Sequence, residues 1–236
     1  MKMEKNTALT EYVKAVLEVY MNEDFADVTR KTTSTKPAQP SGQQQFSLEQ
    51  LRRIGILEQV LGYVNATLSS MKIGEGQGRL VYKLGGGKVL KVAKNPGGMG
   101  QNQAEAHVCA GSSETSDLFP KLFEVGSNNF WLITEEAAAM SPQAFKSLTG
   151  LPWQTFQSGL KGAFESKALN VSAFDKQNYI EASRNPFFSR IVRIIQECKY
   201  EPGDIAKLDS WGIIGGKPVI LDSGFTEAVN QAYYKE

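Results

Sequence analysis

Two neighbouring stretches near the end of the chain decide the predicted fold: GDIAKLDSWG (residues 203–212) and GKPVILDSGF (residues 216–225). They contain three carboxylates, Asp204, Asp209 and Asp222. The apolar run at 219–221 predicts a short buried strand that delivers Asp222 to a glycine-containing turn. Acids carried on loops beside a buried strand are suited to holding Mg²⁺ against phosphate groups. The sequence therefore predicts a metal and phosphate site here.

The composition indicates a soluble globular chain. Its 236 residues are 41% hydrophobic and 22% charged, with a net charge of +1. This length can bury a core in one domain or in a compact two-lobed unit. The near-neutral charge indicates neither a nucleic-acid partner nor an anionic membrane surface, and no apolar run is long enough to span a bilayer. Cys109 and Cys198 fit no metal or redox spacing, which favours free thiols in a reducing cytoplasm.

The first 46 residues predict an extension ahead of the main domain. Residues 1–28 form an amphipathic segment, in which a helix over 8–21 carries an apolar stripe: Leu9, Val13, Val16, Leu17 and Tyr20. Such a stripe packs either on the main domain or on a partner protein. Residues 29–46 are rich in Thr, Ser, Lys, Pro and Gln and predict a flexible linker.

A helix over residues 47–70 and then a glycine-rich strand pair are predicted next. Ser47 and Gln50 fit a capping box at the start of this helix, which is expected to lean on the following domain. Residues 71–84 place a glycine-rich turn between two β-prone runs, and Gly85-Gly86-Gly87 predicts a hairpin turn. Glycines at a strand–turn–strand junction let backbone N–H groups approach phosphates closely.

The strand after this hairpin carries the candidate lysines. Strand side chains alternate between faces, so Val89 and Lys91 point the same way and Lys94 points the other way. We prefer Lys91 as the phosphate-binding lysine and keep Lys94 as second choice. A short helix over 101–109 follows, and Glu105 is its only acid.

Further strands and then helices complete the chain. Residues 118–126 and 130–135 predict a strand pair with a turn between them. From Ser141 the pattern becomes helical, and Pro186 opens a strongly apolar helix that ends near the first quoted stretch.

Taken in this order, the elements resemble the protein-kinase-like fold from about Ile73 to Phe225. A kinase catalytic loop likewise places its Asp five residues before its metal-binding residue, and a metal-binding Asp follows later. Several short sequence segments of the chain also resemble compact kinase-like proteins of tailed bacteriophages. The resemblance implies an α+β, bilobal fold after the 47–70 helix: an N-lobe of antiparallel strands with one helix at 71–137, and a minimal helical C-lobe at 138–236.

The resemblance also implies ligands and residue roles. ATP with Mg²⁺ or Mn²⁺ would be bound, with Asp209 and Asp222 on the metal and Asp204 orienting and deprotonating the attacking hydroxyl. Lys91, held by Glu105, would grip the phosphates. The remaining nucleotide-binding positions would be the loop that covers the phosphates (Gly74, Gly76, Gly78 and Arg79), the strand residues Val81 and Val89, and the base-contacting positions Thr134, Glu135 and Ala137.

Several departures from the kinase pattern leave the function open. Arg79 stands at the third glycine position, Pro202-Gly203 replaces His-Arg, and Ser223 replaces Phe. Few residues follow Asp222, so we expect no activation segment and no peptide-docking subdomain. Three functions stay open: a phosphotransferase acting on a protein, on itself or on a small molecule; a catalytically silent pseudokinase or phage structural protein, binding partners through the 8–21 helix; and a nucleotidyl (AMP) transferase. The location would be the cytoplasm, that of the host if the chain is phage-encoded, or the virion.

Overall fold

A five-stranded antiparallel sheet is the first large element of the fold. The structure, a computed structural model, describes residues 45–109, 116–164 and 172–234, so the 8–21 helix and almost all of the predicted linker lie outside it. The strands are β1 (Lys72–Glu75), β2 (Arg79–Gly85), β3 (Lys88–Ala93), β4 (Leu122–Val125) and β5 (Trp131–Glu135). Their order across the sheet is β1-β2-β3-β5-β4. The predicted 85–87 hairpin and the 127–129 turn are confirmed.

Two helices, α1 (Leu48–Arg52) and α2 (Leu57–Leu68), pack on one face of this sheet. The prediction of one continuous helix here was wrong. Ser47 caps α1 by accepting a hydrogen bond from the Gln50 N–H, which is one half of the predicted capping box, while the Ser47 N–H donates to the Tyr63 hydroxyl at 2.6 Å. The helix then ends at Arg52, with Arg53 as its C-cap, and Ile56 takes an extended conformation as the N-cap of α2. Leu51 of α1 and Val60 of α2 are each fully buried in the same cluster. The break therefore lets both helices turn apolar side chains inward.

Helix α3 (Pro96–Cys109) begins five residues before the predicted start at Gln101. The predicted helix left out the glycines at 97, 98 and 100, since glycine is a poor helix former. Instead the Asn95 side chain accepts from the Gly98 N–H at 2.9 Å and Pro96 opens the helix. A Cβ on Gly98 would lie 2.0 Å from the Gly78 carbonyl oxygen. These glycines therefore allow close packing of α3 against the loop before β2.

The second half of the described chain is mainly helical. Its elements are α4 (Pro142–Thr149), α5 (Trp153–Phe164), α6 (Ala173–Ala182), α7 (Pro186–Cys198), α8 (Pro202–Ile205) and α9 (Glu227–Tyr233), with a small antiparallel sheet of β6 (Ala138–Ala139), β7 (Trp211–Ile214) and β8 (Lys217–Ile220). In its core the Trp211 ring packs edge to face against Phe145 and Phe156. The predicted helix starts at Ser141–Pro142 and at Pro186 are confirmed.

The fold class is α+β, as predicted, with nine helices and two antiparallel sheets in the part of the chain that the structure describes. None of these helices is both long and apolar enough to cross a membrane.

Two helical glycines give a matched test of the close packing at α3. Gly98→Ala should lower the free energy of unfolding by about 1–3 kcal/mol, because the new Cβ meets backbone atoms that cannot move aside independently. Gly62→Ala, in α2 with no atom near its Cβ position, should raise it by about 0.5–1 kcal/mol through helix propensity. Urea unfolding measures both. Equal stability of Gly98→Ala and wild type would show that the contact is absent.

Candidate functional site

The face of the large sheet opposite α1 and α2 carries most of the predicted ligand-binding side chains. Val81 lies opposite Lys91 on the neighbouring strand, and Val89 lies opposite Thr134. Because side chains alternate along a strand, Arg79 shares this face with Val81. The intervening residues, such as Tyr82 and Leu90, are buried in the cluster beneath α1 and α2. Register therefore gathers one cation from β2, one from β3 and a hydroxyl from β5 on a single surface.

Lys91 and Glu105 form a buried ion pair on this surface. Glu105 projects from α3 with no exposed surface, and its Oε1 lies 2.5 Å from Lys91 Nζ. Lys91 also donates to the Leu221 carbonyl oxygen at 2.6 Å. Lys94 instead contacts Glu75 at 2.6 Å on the outside of the glycine-rich turn. Glu105 thus pairs with Lys91, the preferred lysine, and not with Lys94.

Arg79 is a second cation on the same carboxylate. Its Nη1 lies 2.6 Å from Glu105 Oε2, and its Nη2 lies 2.5 Å from Asp222 Oδ1. Its side chain is only 7% exposed. Burial lowers the pKa of Arg79, but the carboxylates of Glu105 and Asp222 outweigh burial and hold the pKa above its ordinary value. The guanidinium therefore stays charged.

Sequence reasoning placed Arg79 in a loop covering phosphates and missed this inward role. The missed signal was the same alternation that selected Lys91, because Arg79 lies two residues before Val81 on one strand. A charged residue on the inner face of a strand needs a buried partner of opposite charge. Glu105 and Asp222 are those partners.

The network joins three separate parts of the chain. Lys91 and Arg79 come from the sheet, Glu105 from α3, and Leu221 and Asp222 from the turn after β8. Two positive and two negative side chains balance one another. Asn102 on α3 adds a further contact, accepting from Arg79 at 3.4 Å while its own amide donates to the Asn129 carbonyl at 2.9 Å.

One lysine, Lys207, interacts with all three predicted aspartates, and it contacts Asp204 directly. Asp204 is hydrogen-bonded to Lys207, and this bond raises the pKa of Lys207, with Asp209 and Asp222 adding to the effect through space. Asp209 is exposed, and Asp222 is 45% exposed while bonded to Arg79. Within the described residues, no three His, Cys, Asp or Glu side chains are arranged to hold a metal ion. The donor set as it stands does not fit a divalent cation, because both Asp204 and Asp222 are already paired with basic side chains.

The glycine-rich turn contains one open glycine and one closely packed glycine. A Cβ on Gly76 would meet no atom within 4 Å. A Cβ on Gly78 would lie 2.5 Å from the Tyr234 hydroxyl and 3.1 Å from Gly98 Cα. Gly74 is paired with Val81 in the sheet. Packing against α3 and against Tyr234, which follows α9, therefore accounts for Gly78. The 76–77 tip is open, but the Gly76 N–H already donates to the Arg79 carbonyl at 2.9 Å.

Thr134 holds an unusual polar group. The residue is fully buried, and its hydroxyl has no hydrogen-bond partner among the described residues. The neighbouring Glu135 N–H is already used, since it donates to the Lys121 carbonyl at 2.9 Å. Ala137 lies just before β6, close to Gly212. Of the three predicted base-contacting positions, Thr134 thus offers an unsatisfied side-chain group.

Two threonines test whether the Thr134 hydroxyl is unpaired. Thr134→Val keeps the side-chain shape and removes an unsatisfied buried hydroxyl, so unfolding free energy should rise by about 1 kcal/mol. Thr149→Val should instead lower it by about 1 kcal/mol, because the Thr149 hydroxyl donates to the Phe145 carbonyl at 2.8 Å. Chemical denaturation compares the two. A loss of stability in Thr134→Val would mean that its hydroxyl has a partner in the free protein.

Comparison with known proteins found no matching family model, no matching curated protein and no matching solved structure.

Proposed function

We propose that this chain is a kinase-like nucleotide-binding protein, and that its reaction is transfer of a phosphoryl group from ATP to a hydroxyl of a protein, including this chain itself, or of a small molecule. The observation that carries the proposal is the buried Lys91–Glu105 pair on the inner face of an antiparallel sheet. In protein kinases a strand lysine must be held by a helix glutamate before it can engage the phosphates of ATP. The chain has both groups in that relation.

The order of elements supports a kinase-like bilobal arrangement. The five strands and α3 correspond to an N-lobe, and the helices from α4 onward with β6–β8 correspond to a reduced C-lobe. The acid-bearing turn after β8 reaches the N-lobe lysine through Leu221, whose carbonyl accepts from Lys91. A nucleotide held on this face would thus meet groups from both lobes.

The inner face suits a nucleotide in its chemistry. Val81 and Val89 supply apolar surface for a flat base, and the unpaired Thr134 hydroxyl supplies a hydrogen-bonding group beside it. Glu105 Oε1 and the Leu221 carbonyl take two of the three ammonium protons of Lys91, which leaves a third for a phosphate oxygen. Asp204 is the group proposed to accept the proton of the attacking hydroxyl.

A catalytically silent binding module is the second candidate. It is favoured by the pairing of Asp222 with Arg79 and of Asp204 with Lys207. Mg²⁺ or Mn²⁺ could accompany ATP in the kinase manner only if Asp222 left Arg79 and stayed beside the phosphates. If the two aspartates stay paired, the site would bind a ligand or stabilise the fold without performing transfer.

Matched lysine variants test nucleotide binding. ATP should raise the melting temperature of the wild type, since a ligand at a hundred times its dissociation constant stabilises by about 2.7 kcal/mol. Lys91→Met should abolish this rise, whereas Lys94→Met should keep it, because Lys94 contacts Glu75 outside the face. Differential scanning fluorimetry measures the ATP-induced rise in melting temperature of each protein. No rise in the wild type, or an equal rise in both variants, would remove the support for the proposed site.

Labelled ATP separates the possible reactions. Incorporation of label from γ-labelled ATP into the chain or into a lysate protein identifies phosphoryl transfer, and incorporation from α-labelled ATP identifies nucleotidyl transfer. Binding without either label identifies the silent module.

A further inference from the structure

We propose that Arg79 is the resident cation of this site: its guanidinium occupies the place at Asp222 that a divalent metal would take, so that a nucleotide polyphosphate binds here without metal. The polyphosphate part rests on the proposed function. The part concerning Asp222 and metal stands independently of it.

The contacts of Arg79 fix its head group on both sides. One arm bonds Glu105 at 2.6 Å and the other bonds Asp222 at 2.5 Å. The backbone of Arg79, at the start of β2, is held opposite Ala93 at the end of β3. A planar guanidinium suits two carboxylates at once, because its N–H groups point outward in a fixed fork. Arg79 is therefore built into the site, unlike a surface side chain that swings across it.

A divalent metal would have to compete with this arrangement. Mg²⁺ binds carboxylate oxygens at about 2.0–2.1 Å, so a metal on Asp222 would stand beside the bonded guanidinium and be repelled by it. Moving Arg79 away would leave a buried cation without its second carboxylate. The other acids do not compensate, since Asp204 is bonded to Lys207 and Asp209 lies exposed on its own short turn.

A phosphate can enter where a metal cannot, because Asp222 is the displaceable partner. Asp222 is 45% exposed, whereas Glu105 is fully buried and holds both cations. If Asp222 turns toward solvent, one arm of Arg79 is released beside the unused proton of Lys91. Arginine forks bind phosphate oxygens in the same bidentate manner as carboxylates. The ligand class is thus a nucleoside di- or triphosphate free of metal.

The metal part is tested with Mn²⁺ alone, without nucleotide. Mn²⁺ is titrated into the wild type, Asp222→Asn, Arg79→Gln and the double variant Arg79→Gln/Asp222→Asn. Binding is measured as the loss of the electron paramagnetic resonance signal of free Mn²⁺. We expect wild type and Asp222→Asn to behave alike, and Arg79→Gln to gain Mn²⁺ binding that the double variant lacks. Arg52→Gln, which removes an arginine from an exposed pair with Glu124, should behave as wild type. Mn²⁺ binding by the wild type that Asp222→Asn loses would overturn the proposal.

The nucleotide part is tested by ATP-induced thermal shifts in EDTA and in Mg²⁺. Apparent affinity of the wild type should agree within about threefold between the two conditions, a difference of roughly 0.65 kcal/mol, and Arg79→Gln should lose binding in EDTA. A wild-type shift that needs Mg²⁺ and disappears in Asp222→Asn overturns the inference. No shift under either condition overturns the proposed nucleotide function together with this part, while the Mn²⁺ titration still judges the role of Arg79. If Arg79→Gln does not fold, wild type and Asp222→Asn decide both tests.

Discussion

The structure depends on one carboxylate that is fully withdrawn from water. Glu105 has no exposed surface, yet each of its oxygens accepts from a different cation, Lys91 on one side and Arg79 on the other. An unpaired buried charge would cost several kcal/mol. The three side chains must therefore be in contact with one another whenever the protein is folded. This requirement fixes α3 against two strands. It also draws in the turn after β8, since Lys91 reaches the Leu221 carbonyl and Arg79 reaches Asp222.

Close backbone packing makes this arrangement possible. Helix α3 can bring Glu105 under the sheet only if its first turn lies against the loop before β2, and Gly98 and Gly78 leave room for that approach. The same two segments meet the last helix, because Cβ atoms on Gly78 and Gly97 would each collide with Tyr234. The glycine-rich turn is therefore as much a packing device as a candidate ligand loop. Its glycine content alone does not indicate phosphate binding.

Much of this could be predicted from local patterns. Strand alternation selected Lys91 over Lys94, and the absence of any other acid in the helix selected Glu105. Sequence could not predict that α3 starts at Pro96, because a run of glycines has low helix propensity and only tertiary packing overrides it. It also missed the inward direction of Arg79, because the glycine-rich motif led us to assign this residue to the loop. Asp209 and Asp222 were expected to hold a metal, with Asp204 acting as the base. Their spacing in sequence carried no information about Lys207 and Arg79, the basic side chains that pair with Asp204 and Asp222.

The most direct test of this account is the stability of Glu105→Ala, measured by chemical denaturation beside Glu124→Ala. Both variants remove a carboxylate that pairs with arginine, but Glu124 pairs with the half-exposed Arg52 at the surface. Glu105→Ala should lower the free energy of unfolding by about 3–5 kcal/mol, because it leaves two buried cations without their shared partner. Glu124→Ala should cost far less. Equal, small losses in the two variants would contradict the central role of Glu105.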